Sequence, residues 1–351
     1  MSDVLRLSVL DQSPVPAGFS PSRALANSLS LAQHVDALGY TRLWYSEHHA
    51  MDLLACTAPE ILIARAAAET SRIRVGSGGI MLPHYSPFKV AEVFRTLHAM
   101  FPNRIDLGIG RAPGGGQLEA QALRRVRQGP SPDDFPQQLA ELRAYLHPER
   151  FPPSHPFANI LVSPAAPGAP DIWLLGSSMW SAVTASQEGL PYAFAHFFSP
   201  ISTRQAIEYY QRNFVPSTAR STPEATLAIG IICAETEAEA QHLYASVRLL
   251  QLRIRTNDRR PVATPEDALR ELNNLQPAAP NPLLPFTAGS LEGPDDNEWP
   301  RYFVGTPDKV ATQLRSLASE LNLQEIIVNT ITHSHQARLR SYTLLAEEMG
   351  R

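Results

Sequence analysis

IRVGSGGIMLPHYSPFKVAEVFRTLHAM, residues 73–100, holds one complete unit of a pattern that runs through most of the chain. Ile73 to Gly79 is a short apolar run ending in glycines and reads as strand three. Pro87 then opens a stretch of helical period reaching about Met100, because proline suits the first turn of a helix. Arg104 to Ile109 begins the next unit as strand four. Working back, Thr41 to Ser46 is strand two, and Thr57 with Pro59 and Glu60 predicts a capping box for a helix reaching about Ala68. Leu5 to Leu10 is strand one, with a helical stretch from Arg23 to Leu38 that Gly39 stops. Working forward, helical patterns cover Gln117–Arg127 and Pro136–Leu146. Strands follow at Ile172–Leu175, Tyr192–Phe197 and Ala225–Cys233, each with a helix behind it (Met179–Glu188, Ser202–Phe214 and Glu237 to about Leu252). Glu325 to Thr330 is strand eight, and Gln336–Met349 a final helix. Eight strands alternating with helices predict parallel strands joined by crossovers, in a closed (β/α)8 TIM barrel in preference to an open doubly wound sheet. The whole chain, 1–351, reads as one such domain.

From Asn257 to Pro300 the rhythm stops, and Pro, Asn and Asp accumulate around a single helical pattern at Pro265–Leu275. A stretch this long is expected to be an insertion after strand seven, either a lid with Leu283, Leu284, Phe286 and Trp299 closing over an apolar ligand or a surface insertion without a role.

Composition narrows the function classes. The chain is 44% hydrophobic and 18% charged, ordinary for a globular protein with a large core. A formal net charge of -4 gives no general attraction to nucleic acid or an anionic membrane. Two cysteines, Cys56 and Cys233, far apart and in apolar surroundings, read as buried hydrophobes and not as a disulfide or zinc framework. No signal peptide and no apolar stretch of spanning length is evident, so a cytoplasmic location is expected.

In a barrel of this kind, chemistry sits at the C-terminal strand ends and the loops behind them. Four clusters occupy such positions: Glu47-His48-His49; Gly76-Ser77-Gly78-Gly79 followed by Leu82-Pro83-His84; Gly108-Ile109-Gly110-Arg111 followed by Gly114-Gly115-Gly116; and Gly176-Ser177-Ser178. The Glu-His-His run offers acid/base groups near neutral pH, or simply surface histidines. Adjacent histidines on an extended chain point to opposite faces, and this cluster has no HxH or HExxH spacing, so no metal site is expected. The glycines after strand three permit close approach of a flat ligand or serve a tight turn. Pro113 stands where a dinucleotide fingerprint would need its third glycine, which argues against a Rossmann reading. Arg111 suits a phosphate, and Ser177 and Ser178 stand before a helix whose first amides suit an anion, or simply cap it.

At these clusters the sequence resembles the luciferase-like flavin-dependent monooxygenases. The matching segments are LWYSEHH (43–49), RVGSGGIMLPHYSP (74–87), RIDLGIGRAPGG (104–115), WLLGSS (173–178), GLPYAFAHFF (189–198) and FVGTPDKV (303–310), in order along nearly the whole chain. The resemblance implies a barrel binding reduced FMN, or in some branches F420, and an enzyme using molecular oxygen on a small organic substrate. It implies that Ser77, Gly78 and Gly79 back the flavin ring through a cis peptide, and that Arg111, Ser177 and Ser178 hold the phosphate beside Gly176, which replaces an acidic residue of the luciferases. His48 and Glu47 would be the catalytic pair. NAD(P)H or a separate flavin reductase would supply electrons. A homodimer through the helices after strands two and three is also implied, with Ala64, Ala66, Ala67 and Ala68 allowing close approach there or against the barrel itself. The alternatives on the same barrel are an F420-dependent dehydrogenase and a non-catalytic flavin-binding protein; a phosphate-binding isomerase would leave the glycine platform unexplained.

Overall fold

The computed structural model describes residues 5–124, 134–147, 151–217, 220–256, 258–274 and 298–350. Within them the strands are β1 (Arg6–Asp11), β2 (Arg42–Tyr45), β3 (Arg74–Met81), β4 (Ile105–Gly110), β5 (Asp171–Gly176), β6 (Tyr192–Ala195), β7 (Ala225–Cys233), β8 (Tyr302–Gly305) and β9 (Glu325–Asn329). The helices are α1 (Pro21–Ala37), α2 (Pro59–Glu69), α3 (Pro87–Met100), α4 (Gln117–Arg124), α5 (Phe135–Leu146), α6 (Met179–Glu188), α7 (Thr203–Arg212), α8 (Glu237–Arg255), α9 (Pro265–Asn274), α10 (Pro307–Glu320) and α11 (His335–Glu348). Strands β1 to β7 pair in chain order, and β9 pairs with both β7 and β1, so eight parallel strands close into the expected barrel.

Alternation along each strand separates two cores. On β1, Leu7 and Val9 join Leu31 and Val35 of α1 in the outer core, whereas Leu10 joins Trp44, Trp173 and Ile327 in the interior. The N-terminal strand ends carry a buried charge network instead of apolar filling. Arg42 on β2 donates from Nε to Glu325 Oε1 (2.6 Å) and from Nη1 to Asp106 Oδ2 (3.0 Å). Asp106 also accepts Trp44 Nε1 at 2.9 Å and Arg74 Nε at 2.8 Å. Arg74 Nη2 reaches Asp171 Oδ2 at 2.8 Å, and Ser8 donates to Glu325 at 2.7 Å. Burial opposes the charge on Arg42, but Asp106 and Glu325 outweigh it and raise its pKa. Each charge thereby has partners, without which its desolvation would be prohibitive.

The ninth strand was not legible in the pattern. Residues 302–305 (YFVG) pair with β7 from Gly230 to Cys233. Because Gly230 is registered with both Tyr302 and Asn329, β8 and β9 flank it from opposite sides, and β8 stands outside the closed barrel. The capping box at Thr57 is not formed either: Ala58 is the N-cap of α2, with no side-chain cap bond, and Pro59 alone marks the start.

The described part of the insertion is anchored. Helix α9 packs Ala268, Leu269 and Leu272 on Ala245 and Leu249 of α8, and Arg253 donates to Glu271 at 2.7 Å. Val262 exchanges backbone hydrogen bonds with the loop after β1, so this stretch does lie on the C-terminal barrel face. Trp299, expected in the lid, is instead buried in the outer core edge-to-face with His196, because Arg204 and the end of β6 enclose it. Leu283, Leu284 and Phe286 lie outside the described residues. Both cysteines are free and buried, as their surroundings suggested. Among the described residues no helix is long and apolar enough to cross a membrane.

Candidate active site

The four sequence clusters stand on neighbouring strand ends of one barrel face. After β2 the chain leaves through Ser46-Glu47-His48-His49, and Glu47 becomes the hub. Its buried carboxylate accepts His49 Nε2 at 2.6 Å, the Tyr85 hydroxyl at 2.6 Å and the backbone N–H of Met81 at 2.9 Å. Burial, reinforced by the negative charge of Glu47, raises the Tyr85 pKa and keeps the phenol a donor. His49 N–H donates to Gly114 O at 2.9 Å, and His84 Nε2 to Pro113 O at 2.7 Å. The loops after β2, β3 and β4 are therefore tied together, with three donors meeting on Glu47. These contacts orient the carboxylate and leave one acceptor site on Oε2.

His48 sits differently. Its ring is half-buried, Nδ1 is 3.1 Å from the Ser46 hydroxyl, and Nε2 has no protein partner among the described residues. Burial, with a smaller push from His49, lowers its pKa to about 4. At neutral pH it is an uncharged imidazole held at one nitrogen, able to give or take a proton at the other once its tautomer is set.

Strand β3 shifts register between Ser77 and Ile80, and the Gly78–Gly79 peptide there is cis. The Ser77 hydroxyl is engaged, donating to Gly108 O at 2.8 Å, so only the backbone of 77–79 remains to back a ligand. Close packing explains Gly78: a Cβ on it would stand 2.6 Å from Leu10 Cδ1 and 3.0 Å from Trp44 Cβ. Gly79 faces the Gly108 carbonyl in the same way.

Arg111, just past β4, lays its guanidinium 4.0 Å from the ring centroid of Trp180, in the first turn of α6. That helix begins after Ser177 and the N-cap Ser178, whose hydroxyl makes no cap bond. A cation, two hydroxyls and first-turn amides thus share one corner, a donor set suited to an anion. Gly176 has another reason to be glycine: a Cβ there would stand 2.3 Å from Ser181 Oγ, so the residue lets α6 close on β5. Sequence reasoning missed Ser46, Tyr85 and Trp180 as parts of the site. Tyr85 and Ser46 lay inside motifs already singled out, but their partners are fixed only by the fold.

A sequence model of the luciferase-like monooxygenases matches residues 5–322, and the chain belongs to that family. The solved structure of apo-MsnO8 is 46% identical with a TM-score of 0.88, covering 99% of this chain and 98% of that one. The uncharacterized protein YwcH of Bacillus subtilis (strain 168) is 41% identical over 344 residues, 98% of this chain and 99% of its own length. N-acetyl-S-alkylcysteine monooxygenase of the same organism is 32% identical over 346 residues, 98% of each chain. Family and relatives support an oxidoreductase of the monooxygenase kind.

Proposed function

We propose that the protein binds FMN at the barrel mouth and oxidises a small organic substrate with molecular oxygen, electrons coming from NAD(P)H or a separate flavin reductase. The observation that carries this reading is the corner formed by Arg111, Trp180, Ser177, Ser178 and the start of α6. Its donors fit a phosphate monoester, since the guanidinium supplies charge and a fork, and the uncapped Ser178 leaves a hydroxyl available. Arg111, Ser177 and Ser178 would hold that phosphate while the backbone of 77–79 backs the ring. Bound reduced FMN supplies the electrons that activate oxygen. His48, uncharged at neutral pH, would move a proton through Nε2 while Ser46 holds Nδ1. Glu47 and Tyr85 keep the three loops in place and so help exclude water. The reaction named for the Bacillus subtilis relative, monooxygenation of N-acetyl-S-alkylcysteines, supports oxygen transfer to a small molecule as the reaction class.

A homodimer through α2 and α3 belongs to the same proposal. Ala66 and Ala67 are consumed in packing on the barrel, so the outer face of α2 depends on Ile61, 67% exposed, with Ala68. Sedimentation equilibrium of the wild type and Ile61→Glu tests it: an unchanged monomer in both would end the dimer reading.

The deciding experiment is titration of the purified protein with FMN, riboflavin and F420, followed by absorbance, with mass spectrometry of any copurifying cofactor. FMN bound more tightly than riboflavin supports the reading. F420 bound in preference to FMN transfers the chain to the dehydrogenase alternative. FMN bound without oxygen consumption under any reductant supports a non-catalytic flavin protein.

A further inference from the structure

The end of β1 makes an unusual turn that neither the sequence clusters nor the proposed chemistry uses. Ser13 is fully buried and takes φ 50°, a left-handed conformation that residues other than glycine seldom adopt. It is held there from several sides. Asp11 Oδ1 accepts the Ser13 N–H at 2.7 Å and Arg338 Nη2 at 2.7 Å. Ser28 donates to the Ser13 hydroxyl at 2.8 Å, and the Ser13 carbonyl accepts Ala55 N–H at 2.9 Å. A buried ion pair, two hydroxyls and a loop contact thus fix a conformation the chain would not choose alone. Such over-determined strain gathers at ligand sites.

The product of the turn is the placement of Gln12. Asp11 points outward to α11, so its neighbours Leu10 and Gln12 point into the barrel, and Leu10 indeed packs with Trp44 and Trp173. Gln12 is only 9% exposed, one inward position above Leu10. Its carboxamide is oriented by Asn329, itself fully buried. Asn329 Nδ2 donates to Leu10 O at 3.0 Å and to Gln12 Oε1 at 3.4 Å, while Tyr302 donates to Asn329 Oδ1 at 3.4 Å. The carbonyl and hydroxyl partners settle which way Asn329 faces, and Asn329 settles Gln12. Gln12 Nε2 is left facing away from Asn329, with no protein partner among the described residues. Leu10 is the residue a Gly78 Cβ would strike, and since Leu10 is in register with Trp44 and Trp44 with Gly76, Gln12 stands at the level of Gly78, two strands away on the same inner face.

We propose that Gln12 is a ligand-binding residue whose Nε2 donates a hydrogen bond to an acceptor, a carbonyl oxygen or ring nitrogen, on the flavin ring lying against residues 77–79. The proposal rests on the flavin reading above. It is tested by titrating the wild type, Gln12→Met and Gln12→Glu with FMN and with riboflavin, following flavin fluorescence and the visible spectrum of the bound flavin. Loss of one neutral hydrogen bond to the ring weakens both ligands by the same factor, about 2- to 12-fold, and shifts the visible band. Gln12→Glu keeps Oε1 for Asn329 and replaces only the donor, so it carries the test if Gln12→Met fails to fold by circular dichroism. Equal affinities and spectra in wild type and variants overturn the proposal. A loss confined to FMN also overturns it, because Gln12 would then serve the phosphate. A wild type that binds neither flavin is a failure of the flavin reading itself, visible before any variant is compared.

Discussion

Changing Asp106 to asparagine isolates what closes the lower end of the barrel. Asp106 is fully buried, and its two oxygens receive Arg42 Nη1, Trp44 Nε1 and the Nε and Nη2 of Arg74. Asparagine keeps the shape, but its amide nitrogen must face donors, and Arg42 and Arg74 lose a shared negative charge. Breaking a buried charge network from one side costs about 3–5 kcal/mol. With roughly 2 cal/mol/K of unfolding entropy per residue, a chain of 351 residues should then melt about 4–7 °C lower. Scanning calorimetry of both proteins at one scan rate measures this, the fixed rate mattering because chains of this size often unfold irreversibly. FMN affinity, measured well below either midpoint, should be unchanged, since the network lies at the opposite end from the mouth. A midpoint lowered by less than about 1 °C would refute the account of the floor. A loss of FMN binding at an unchanged midpoint would refute its placement.

Three further outcomes are expected. In the motif Gly108-Ile109-Gly110, a Cβ on Gly108 would stand 2.0 Å from Ser77 O, whereas one on Gly110 meets nothing closer than Met81 Sδ at 3.5 Å. Gly108→Ala should therefore cost at least about 1–3 kcal/mol or fail to give soluble protein, with Gly110→Ala within about 1 kcal/mol of wild type; equal melting points would contradict the packing argument. Arg111→Ala should weaken FMN by roughly 10- to 150-fold and riboflavin far less, a charge-assisted bond to phosphate being lost; parallel losses would remove Arg111 from the phosphate corner. His48 and His335 both have pKa values lowered to about 4 by burial, below the value near 6.5 of an unfolded histidine. The unfolded chain therefore takes up protons first, and stability complete above about pH 6.5 is lost as the pH falls toward about 4. Melting temperatures across that window should fall less steeply in His48→Gln, and an identical slope would show that His48 does not contribute.

The barrel was legible because period-two apolar runs and glycine- or proline-marked helix ends alternate with little interruption, as at Ile73–Met100. β8 was not, because four residues behind a proline-rich stretch give too short a period, and only pairing with Gly230–Cys233 makes YFVG a strand. The clusters around His48, Ser77, Arg111 and Ser177 declared themselves by breaking apolar patterning at strand ends. What each residue does there was less visible. The sequence did not show that Glu47 ties three loops together through three donors, nor that Gly176 also makes room for Ser181. Gln12 gave no local signal. Its orientation depends on Asn329, more than three hundred residues away.

The charged floor also governs traffic. Among the described residues, Arg42, Glu325, Asp106 and Arg74 fill the barrel interior beneath Trp44 and Trp173, which leaves the mouth as the route in. Under the proposed function, flavin, oxygen, substrate and product would then share one doorway, a dead-end well. In a well of this kind the deepest occupant enters first and leaves last, whatever its affinity. Steady-state kinetics should accordingly show an ordered sequence, with the shallow ligand behaving as an uncompetitive obstacle to release of the deep one, and that order is set by the floor rather than by the catalytic residues.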